Sequence, residues 1–173
     1  MYGALFYDGA LCDLSNNCSA YTSATDDFII KVNTRLEYNL NETFYLFAGA
    51  GYRFLYDRGK GVGFYTRTGN WAYLPLGGYF KYQKFLFDLE YDLIVYGSFK
   101  SNLSEVSRTF TDLTHSQMGY GLLLTMGYQL NESWSIHGVY ESWNLDETEP
   151  VESGGLSFVE PQNNSQSYGL KLG

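Results

Sequence analysis

Three carboxylates occupy alternate positions in the stretch FLFDLEYDLIVYGSF, which runs from Phe85 to Phe99. Asp88, Glu90 and Asp92 could serve as an acid–base pair or bind a cation. Strict alternation predicts a β-strand here, because successive side chains of a strand point to opposite faces. The acid face contains Leu86, Asp88, Glu90, Asp92, Ile94, Tyr96 and Ser98. The other face contains Phe85, Phe87, Leu89, Tyr91, Leu93, Val95 and Gly97. Salt bridges to basic residues are the simplest role for the three acids.

The chain has two histidines, His115 and His137. Asp112 and Ser116 flank His115, so the residue types of a serine hydrolase lie close together in sequence. Adjacent residues of a strand point to opposite faces, however, which prevents a direct contact between His115 and Ser116. His137 falls on the polar face of its strand, nearest Thr125 across the hairpin, where we expect a hydrogen-bonded role. The sequence therefore predicts no catalytic residue.

The two cysteines lie in one short polar segment, DGALCDLSNNCSAY. Five residues separate Cys12 from Cys18, which suits a small loop-closing disulfide and an oxidising compartment. A pair of free thiols is the alternative interpretation. The spacing does not match a CxxC redox pair or a zinc knuckle, so we expect no metal site. No cofactor is expected either, because the glycine-rich segment GKGVG lacks the spacing of a phosphate-binding loop.

The composition favours a β protein. Aromatic residues make up 18% of the 173 residues, with 17 tyrosines and 12 phenylalanines, and there are 19 glycines. No apolar segment approaches the roughly 18 residues of a membrane-spanning helix. The net charge of −8 argues against nucleic acid as a partner. The length predicts a single domain over residues 1–173.

Alternating segments recur along the chain and predict eight strands. Their bounds are Tyr2–Asp8, Phe28–Tyr38, Phe44–Asp57, Trp71–Tyr82, Phe85–Phe99, Gln117–Gln129, Trp134–Leu145 and Ser165–Gly173. Pro75 predicts a bulge or irregular pairing in the fourth strand, since proline cannot donate to a ladder. Short turns at 39–43, 83–84 and 130–133 alternate with long connections at 9–27, 58–70, 100–114 and 146–163. Outer-membrane barrels sort their connections in this way.

One motif occurs twice, as YNLNETF from Tyr38 to Phe44 and as YQLNESW from Tyr128 to Trp134. Each copy sits at a short turn, with an aromatic residue before it and another after it. Aromatic side chains at strand ends are typical of a membrane interface, where the ring meets lipid and the polar tip meets water. We predict an aromatic girdle of Tyr38, Phe44, Tyr82, Phe85, Tyr128 and Trp134.

Charged residues are confined to one parity of the predicted strands between Phe28 and Tyr128. The predicted interior network contains Lys31, Arg35, Glu37, Arg53, Lys81, Asp88, Glu90, Asp92, Glu141 and Lys171. Five of these residues are basic and five are acidic, which suits a desolvated interior. We expect the acids of the fifth strand to reach Lys31, Arg35 and Arg53 and to fill the interior. Small inward residues leave room for arginine, lysine, tyrosine and phenylalanine side chains of other strands, namely Gly49, Gly51, Gly77, Gly119, Gly121 and Gly127.

With these features the chain resembles the small eight-stranded outer-membrane barrels, a group that includes OmpA-like transmembrane domains, OmpX, OmpW and other porin-family proteins. The resemblance covers the whole chain and rests on pattern, charge sorting and loop lengths. It implies an antiparallel up-and-down transmembrane β-barrel in a Gram-negative outer membrane. Such barrels usually end in a strand with a terminal aromatic residue, whereas this chain ends Gly-Leu-Lys-Leu-Gly. We therefore expect a few native residues to be missing at each end.

The resemblance implies an envelope protein without enzymatic activity, acting in structure or surface recognition through its long loops. The implied partners are outer-membrane lipids, lipopolysaccharide, the barrel assembly machinery and an extracellular ligand of unknown kind. A narrow pore for small solutes or ions is the second interpretation, and a lipid A-modifying enzyme is the third. A soluble lipocalin-type barrel would require a mainly apolar interior, in conflict with the charges on the interior parity.

Overall fold

The computed structural model describes the backbone of residues 2–12, 18–59 and 64–173, and side chains at 27–58, 64–155 and 157–173. The strands are β1 (Tyr2–Cys12), β2 (Cys18–Asn39), β3 (Phe44–Gly59), β4 (Thr66–Tyr82), β5 (Phe85–Ser101), β6 (Leu113–Ser116), β7 (Gly119–Gln129), β8 (Ser135–Leu145), β9 (Val151–Ser153), β10 (Leu156–Phe158) and β11 (Asn163–Leu172). A 3-10 helix, Leu103–Glu105, lies between β5 and β6. Among the described residues, no helix is long and apolar enough to cross a membrane.

The eight long strands form one sheet in chain order, β1-β2-β3-β4-β5-β7-β8-β11. Each pair of neighbours is antiparallel, so the prediction of an all-β, up-and-down antiparallel sheet is confirmed. Strand β6 pairs with the last residues of β5, and β9 and β10 form a separate hairpin. Within the described ranges, the pairing ends at β1 on one side and at β11 on the other.

The sheet is strongly curled. The Nζ atom of Lys31 on β2 lies 2.9 Å from Oε1 of Glu141 on β8. These two strands are five places apart in the sheet, a separation of about 24 Å in a flat sheet. Side chains from distant strands therefore meet on a concave face, and the opposite face is convex.

The convex face is apolar and exposed. On β5 it presents Phe85, Phe87, Leu89, Tyr91, Leu93 and Val95, and on β2 it presents Phe28, Ile30, Val32, Leu36 and Tyr38. Leu36 is the most exposed of these, at 83%. The three acids of β5 lie on the concave face, as the alternation predicts, because neighbouring residues of a strand point to opposite sides.

The predicted parity is wrong at the end of β5. Tyr73 pairs with Ile94 and Ala72 pairs with Tyr96, so Val95 is an extra residue on β5. Such a β-bulge turns every following side chain to the opposite face. Tyr96, predicted on the acid face, is therefore exposed beside Val95, whereas Gly97 is buried.

Pro75 does not itself shift the register. It pairs with Asp92 on β5, and the β3–β4 register is the same at Ala48–Leu76 and at Gly51–Tyr73, on either side of the proline. The β3–β4 ladder is nevertheless interrupted there, since neither Leu74 nor Pro75 pairs with a residue of β3, so the predicted irregular pairing is confirmed. A separate register shift, caused by the extra residue on β5, lies between Ala72 and Tyr73 in the β4–β5 ladder.

Two connections predicted as loops are largely strand. Strands β1 and β2 pair from Tyr2–Phe28 to Cys12–Cys18, so most of 9–27 is a hairpin. Strand β3 continues to Gly59 and β4 begins at Thr66, inside the predicted loop 58–70. A backbone ladder needs no apolar side chains, so it can extend beyond the segment in which hydrophobic alternation is visible. The predicted loops 100–114 and 146–163 contain only short elements between their flanking strands.

The repeated motif forms the same turn twice. The Oδ1 atom of Asn41 accepts hydrogen bonds from the N–H groups of Thr43 and Phe44, at 2.8 and 2.9 Å. The Oδ1 atom of Asn131 accepts from Ser133 and Trp134 in the same way, at 2.9 and 3.0 Å. Asparagine is favoured at such positions because its side chain satisfies the backbone donors of the turn. The motif is therefore explained by turn chemistry.

Gly97 lies where the sheet has no room for a side chain. An added Cβ atom would lie 1.7 Å from the carbonyl oxygen of Gln117 and 2.8 Å from Cδ1 of Trp71. We expect Gly97→Ala to lower the free energy of unfolding by about 1–3 kcal/mol or more, because the backbone must move. Gly138→Ala is the matched control, since its nearest heavy atom is 3.9 Å away. Urea unfolding of the two variants compares them, and equal stabilities would contradict this account.

Candidate functional site

Lys31 lies at the centre of a cluster of carboxylates on the concave face. Its Nζ atom is 2.9 Å from Oδ2 of Asp92, 2.9 Å from Oε1 of Glu141 and 3.5 Å from Oε1 of Glu90. Strands β2, β5 and β8 supply these residues, so the curl of the sheet creates the cluster. The indole Nε1 of Trp143 also donates to Glu141, at 2.9 Å.

Arg35 extends the cluster toward the short turns. Its Nη1 atom donates to Oδ2 of Asp88 at 2.9 Å, its Nη2 atom pairs with Glu90, and its guanidinium lies 4.3 Å from the ring centroid of Phe47. Glu90 and Asp92 are almost fully buried, at 0% and 1% exposed. Buried carboxylates require nearby positive charge. Lys31 and Arg35 provide this positive charge, and their contacts with the acids of β5 are those that the sequence predicted.

Arg53 has a different environment from the one predicted. Its guanidinium lies over the rings of Trp71 and Trp143, at 5.2 and 4.6 Å from their centroids. Among the described residues it makes no ion pair, so the expected pairing of Arg53 with the β5 acids is wrong. The guanidinium is instead held by cation–π contacts, which strengthen in a desolvated setting.

The remaining members of the predicted network do not join it. Glu37, Lys81 and Lys171 are exposed, and no ion pair links them to another described residue. The network formed by the structure therefore consists of Lys31, Arg35, Asp88, Glu90, Asp92 and Glu141. Lys31 and Arg35 face four carboxylates in it.

Aromatic and aliphatic side chains fill the concave face beyond the ion pairs. This core contains Trp71, Tyr73, Ile94, Phe99, Trp143 and Leu145. Tyr73 packs edge-on against Trp143, with ring centroids 5.5 Å apart. Inward glycines seat these rings: a Cβ on Gly51 would lie 2.2 Å from Tyr73, and one on Gly121 would lie 3.1 Å from Trp143. Gly51 therefore makes room for the ring of Tyr73, and Gly121 makes room for Trp143 and for Asp92. The parity of Trp71 and Trp143 could have indicated this core.

A cavity of about 250 Å³ lies beside this core, near the end of the sheet that carries the long connections. Its charged walls are Asp27, Arg53, Asp57, Arg67 and Glu160. The guanidinium of Arg67 pairs with Asp57, and Nη1 of Arg67 lies 3.9 Å from Oε2 of Glu160. Of these five residues, only Arg53 belonged to the predicted network. Asp27, Arg67 and Glu160 lie in segments that were predicted to be loops, and Asp57 is the last residue of a predicted strand. The cross-strand pairing of Asp57 with Arg67 brings these two side chains together.

Among the described residues, no hydrogen bond joins the side chains of His115, Ser116 and Asp112. His115 is buried, and its Nδ1 atom lies 3.3 Å from the Thr148 hydroxyl, whereas Ser116 is exposed. Asp112 instead accepts hydrogen bonds from Ser104 and lies 3.3 Å from Nζ of Lys100. The bonds from Ser104 lower the pKa of Asp112. His115 and Asp112 therefore have separate partners.

His137 lies on the concave face near the short turns. Its Nε2 atom is 2.7 Å from the Ser135 hydroxyl, and its ring occupies the space that a side chain at Gly127 would take. The cross-strand partners of His137 are Gly127 and Lys171. The prediction that Thr125 is its nearest neighbour across the hairpin is therefore wrong, because Gly127 is the next residue of β7 on the same face. A hydrogen bond satisfies His137, as expected.

The predicted girdle residues lie in one band beside the short turns. All six are exposed: Tyr38, Phe44, Tyr82, Phe85, Tyr128 and Trp134. Phe85 and Tyr128 pack edge-on with their centroids 5.2 Å apart, and Phe44 lies 4.8 Å from Phe80. The band therefore extends across neighbouring strands.

The predicted disulfide concerns side chains outside the described set. The backbones of Cys12 and Cys18 are directly opposite each other in the β1–β2 ladder. Directly opposite residues of an antiparallel pair have Cα atoms about 4.5–5.5 Å apart, within the range that a disulfide spans. The disulfide stays a prediction.

Comparison with known proteins places the chain in no established group. No protein-family model matches it, and no curated protein sequence matches it. Any functional conclusion therefore depends on the geometry described above.

Proposed function

We propose that the chain is an eight-stranded transmembrane β-barrel of a bacterial outer membrane, with a filled interior. The observation that carries the proposal is the reversed polarity of the sheet. Its convex face exposes large apolar side chains on consecutive strands, and its concave face buries Lys31, Glu90, Asp92 and their partners. A protein folded in water would expose the charges instead, and a contiguous apolar surface of this extent marks contact with lipid or another apolar partner.

The aromatic band and the turns support the same proposal. Exposed rings line the end of the sheet that carries the short turns, as at a membrane interface. The sheet spans eight strands in up-and-down order, and β1 and β11 occupy its two ends. Pairing of these two strands would close the barrel and satisfy their edges, which a lipid environment requires.

The interior favours a structural or surface-recognition role over a pore. Ion pairs from β2 to β5 and from β2 to β8 cross the concave face, and Trp71, Tyr73 and Trp143 occupy the space above them. In barrels of about eight strands, side chains are enough to fill the interior. We infer a non-enzymatic envelope protein whose partners are outer-membrane lipids, lipopolysaccharide and the barrel assembly machinery, with recognition by its long connections.

Reconstitution tests this proposal. The protein refolded into liposomes is expected to resist protease and to migrate faster on gels before heating than after it. In planar bilayers it is expected to show no conductance in the nanosiemens range, because the interior is filled. Arg53→Ala removes a large side chain between Trp71 and Trp143 and is expected to raise conductance above that of the native chain. Failure to insert would overturn the membrane proposal, and large native conductance would favour the pore.

A further inference from the structure

Strand β2 has an open edge in the half that lies nearer the short turns. The ladder with β1 ends where Tyr2 pairs with Phe28, whereas β2 continues to Asn39. Residues 30–39 pair with β3 on one side. On their other side, no described residue pairs with them or forms a backbone hydrogen bond to them. Backbone N–H and C=O groups along this edge are therefore open to pairing with another strand.

The side chains of this edge are unusually exposed. Val32, Leu36 and Tyr38 on the convex face are 60%, 83% and 70% exposed. Phe87 and Leu89 lie on the same face of β5, which has a neighbouring strand on each side, and they are only 38% and 45% exposed. The larger exposure along β2 is what the lack of a neighbouring strand produces.

The edge also lacks the usual protection against strand pairing, which is supplied by proline, by bulges or by charged side chains. Residues 30–39 contain no proline, and their register with β3 has no bulge. Lys31 and Arg35 both turn to the concave face, where they form ion pairs with acids of β5. Ile30 and Val32 are β-branched and favour a strand. The edge is therefore suited to accept a partner strand.

The surroundings of the edge set the size of the partner. In the proposed barrel, on which this step rests, β11 follows β1, so the gap beside residues 30–39 is one strand wide. An edge strand of a second copy cannot enter such a gap, because it stays joined to its own sheet. Ten residues of a strand extend over about 33 Å. A single extended segment of about ten residues therefore matches the edge.

We propose that this edge of β2 binds an extended strand of another polypeptide, about ten residues long, with apolar residues at alternate positions. The backbone of the bound strand pairs with residues 30–39, as in other cases of β-strand addition. Its apolar side chains continue the convex face beside Val32 and Leu36. The polar side chains between them lie on the concave side, near the exposed residues Asn33 and Glu37.

Fluorescence anisotropy with a labelled peptide tests the proposal. The probe has ten residues, alternates valine with threonine and carries a lysine at each end. The control is the same peptide with N-methyl groups on its central amides, which cannot pair as a strand. We expect one probe to bind per refolded chain in non-ionic detergent, about tenfold or more tighter than the control, because several hydrogen bonds are lost with the control. Equal binding of the two peptides, or no saturable binding, would overturn the proposal.

Cross-linking locates the bound peptide. Leu36→Cys and Leu89→Cys are each made in a chain that also carries Cys12→Ser and Cys18→Ser, and a cysteine replaces the central valine of the probe. Facing residues of adjacent strands are close enough for a disulfide, so we expect about fivefold or more mixed disulfide at Leu36→Cys. Leu89→Cys is the matched control, since β4 and β7 flank it. Equal yields at the two positions would contradict the assignment, as would disulfides between two copies of Leu36→Cys without bound peptide.

Membrane insertion is measured separately, by protease resistance in liposomes. A chain that inserts but binds no peptide would overturn this inference and leave the proposed function standing. A chain that binds the peptide at Leu36→Cys but fails to insert would support the strand site and overturn the membrane proposal.

Discussion

Replacing Lys31 with methionine is expected to lower the free energy of unfolding by about 3–5 kcal/mol, because it leaves buried carboxylates without their counter-charge. The Lys31 ammonium contacts Glu90, Asp92 and Glu141, and the first two are almost fully buried. Methionine keeps most of the volume, so the loss reports charge more than packing. Equilibrium urea unfolding of the refolded protein measures it.

Lys81→Met is the matched control for this prediction. Lys81 is exposed and makes no ion pair with a described residue, so we expect a change within about 0.5 kcal/mol. Adding Asp92→Asn to Lys31→Met is expected to restore part of the stability, because one unpaired charge is then removed. Equal stabilities of the two lysine variants would show that the cluster does not depend on Lys31.

Leu89→Arg is expected to destabilise the protein in liposomes by about 2–4 kcal/mol, the cost of a basic side chain facing the middle of a bilayer. Leu89 lies on the convex face of β5, between the exposed aromatic residues Phe85 and Tyr96. It is already 45% exposed, so arginine there creates no clash. In a sheet surrounded by water, the same substitution would change stability by only about 0.5 kcal/mol. The experiment therefore distinguishes lipid from water as the solvent of this face.

Leu130→Arg provides the comparison, because Leu130 is similarly exposed, at 51%, but lies in a short turn. Near the membrane interface the cost of arginine falls to about 0–1 kcal/mol. A loss at Leu89 that matches the loss at Leu130 would contradict insertion of the convex face into lipid. Unfolding both variants in the same liposomes removes differences in lipid composition.

The local pattern of residues determined the strands and most of their faces. Alternation in β2, β3 and the first part of β5 assigned Phe28 and Leu89 to one face of the sheet and Lys31 and Glu90 to the other. This was possible because the two-residue period of a strand is a property of the backbone. The asparagine turns at 39–43 and 130–133 were equally local, since Asn41 and Asn131 bond to backbone groups two and three residues away. Such features require no knowledge of distant residues.

The tertiary structure decided what the concave face contains. The bulge at Val95 depends on the pairing of β4 with β5. It exchanges the faces of the sheet on which Tyr96 and Gly97 lie, and the alternation of the sequence gives no sign of it. The choice of partners for Lys31 depends on the curl that brings β8 to β2, and Arg53 contacts indole rings instead of acids for the same reason. The acids that opened the sequence analysis could be assigned to one face from their spacing alone. Only the folded sheet placed Lys31 and Arg35 against them, because contacts between strands far apart in the sheet depend on its curvature.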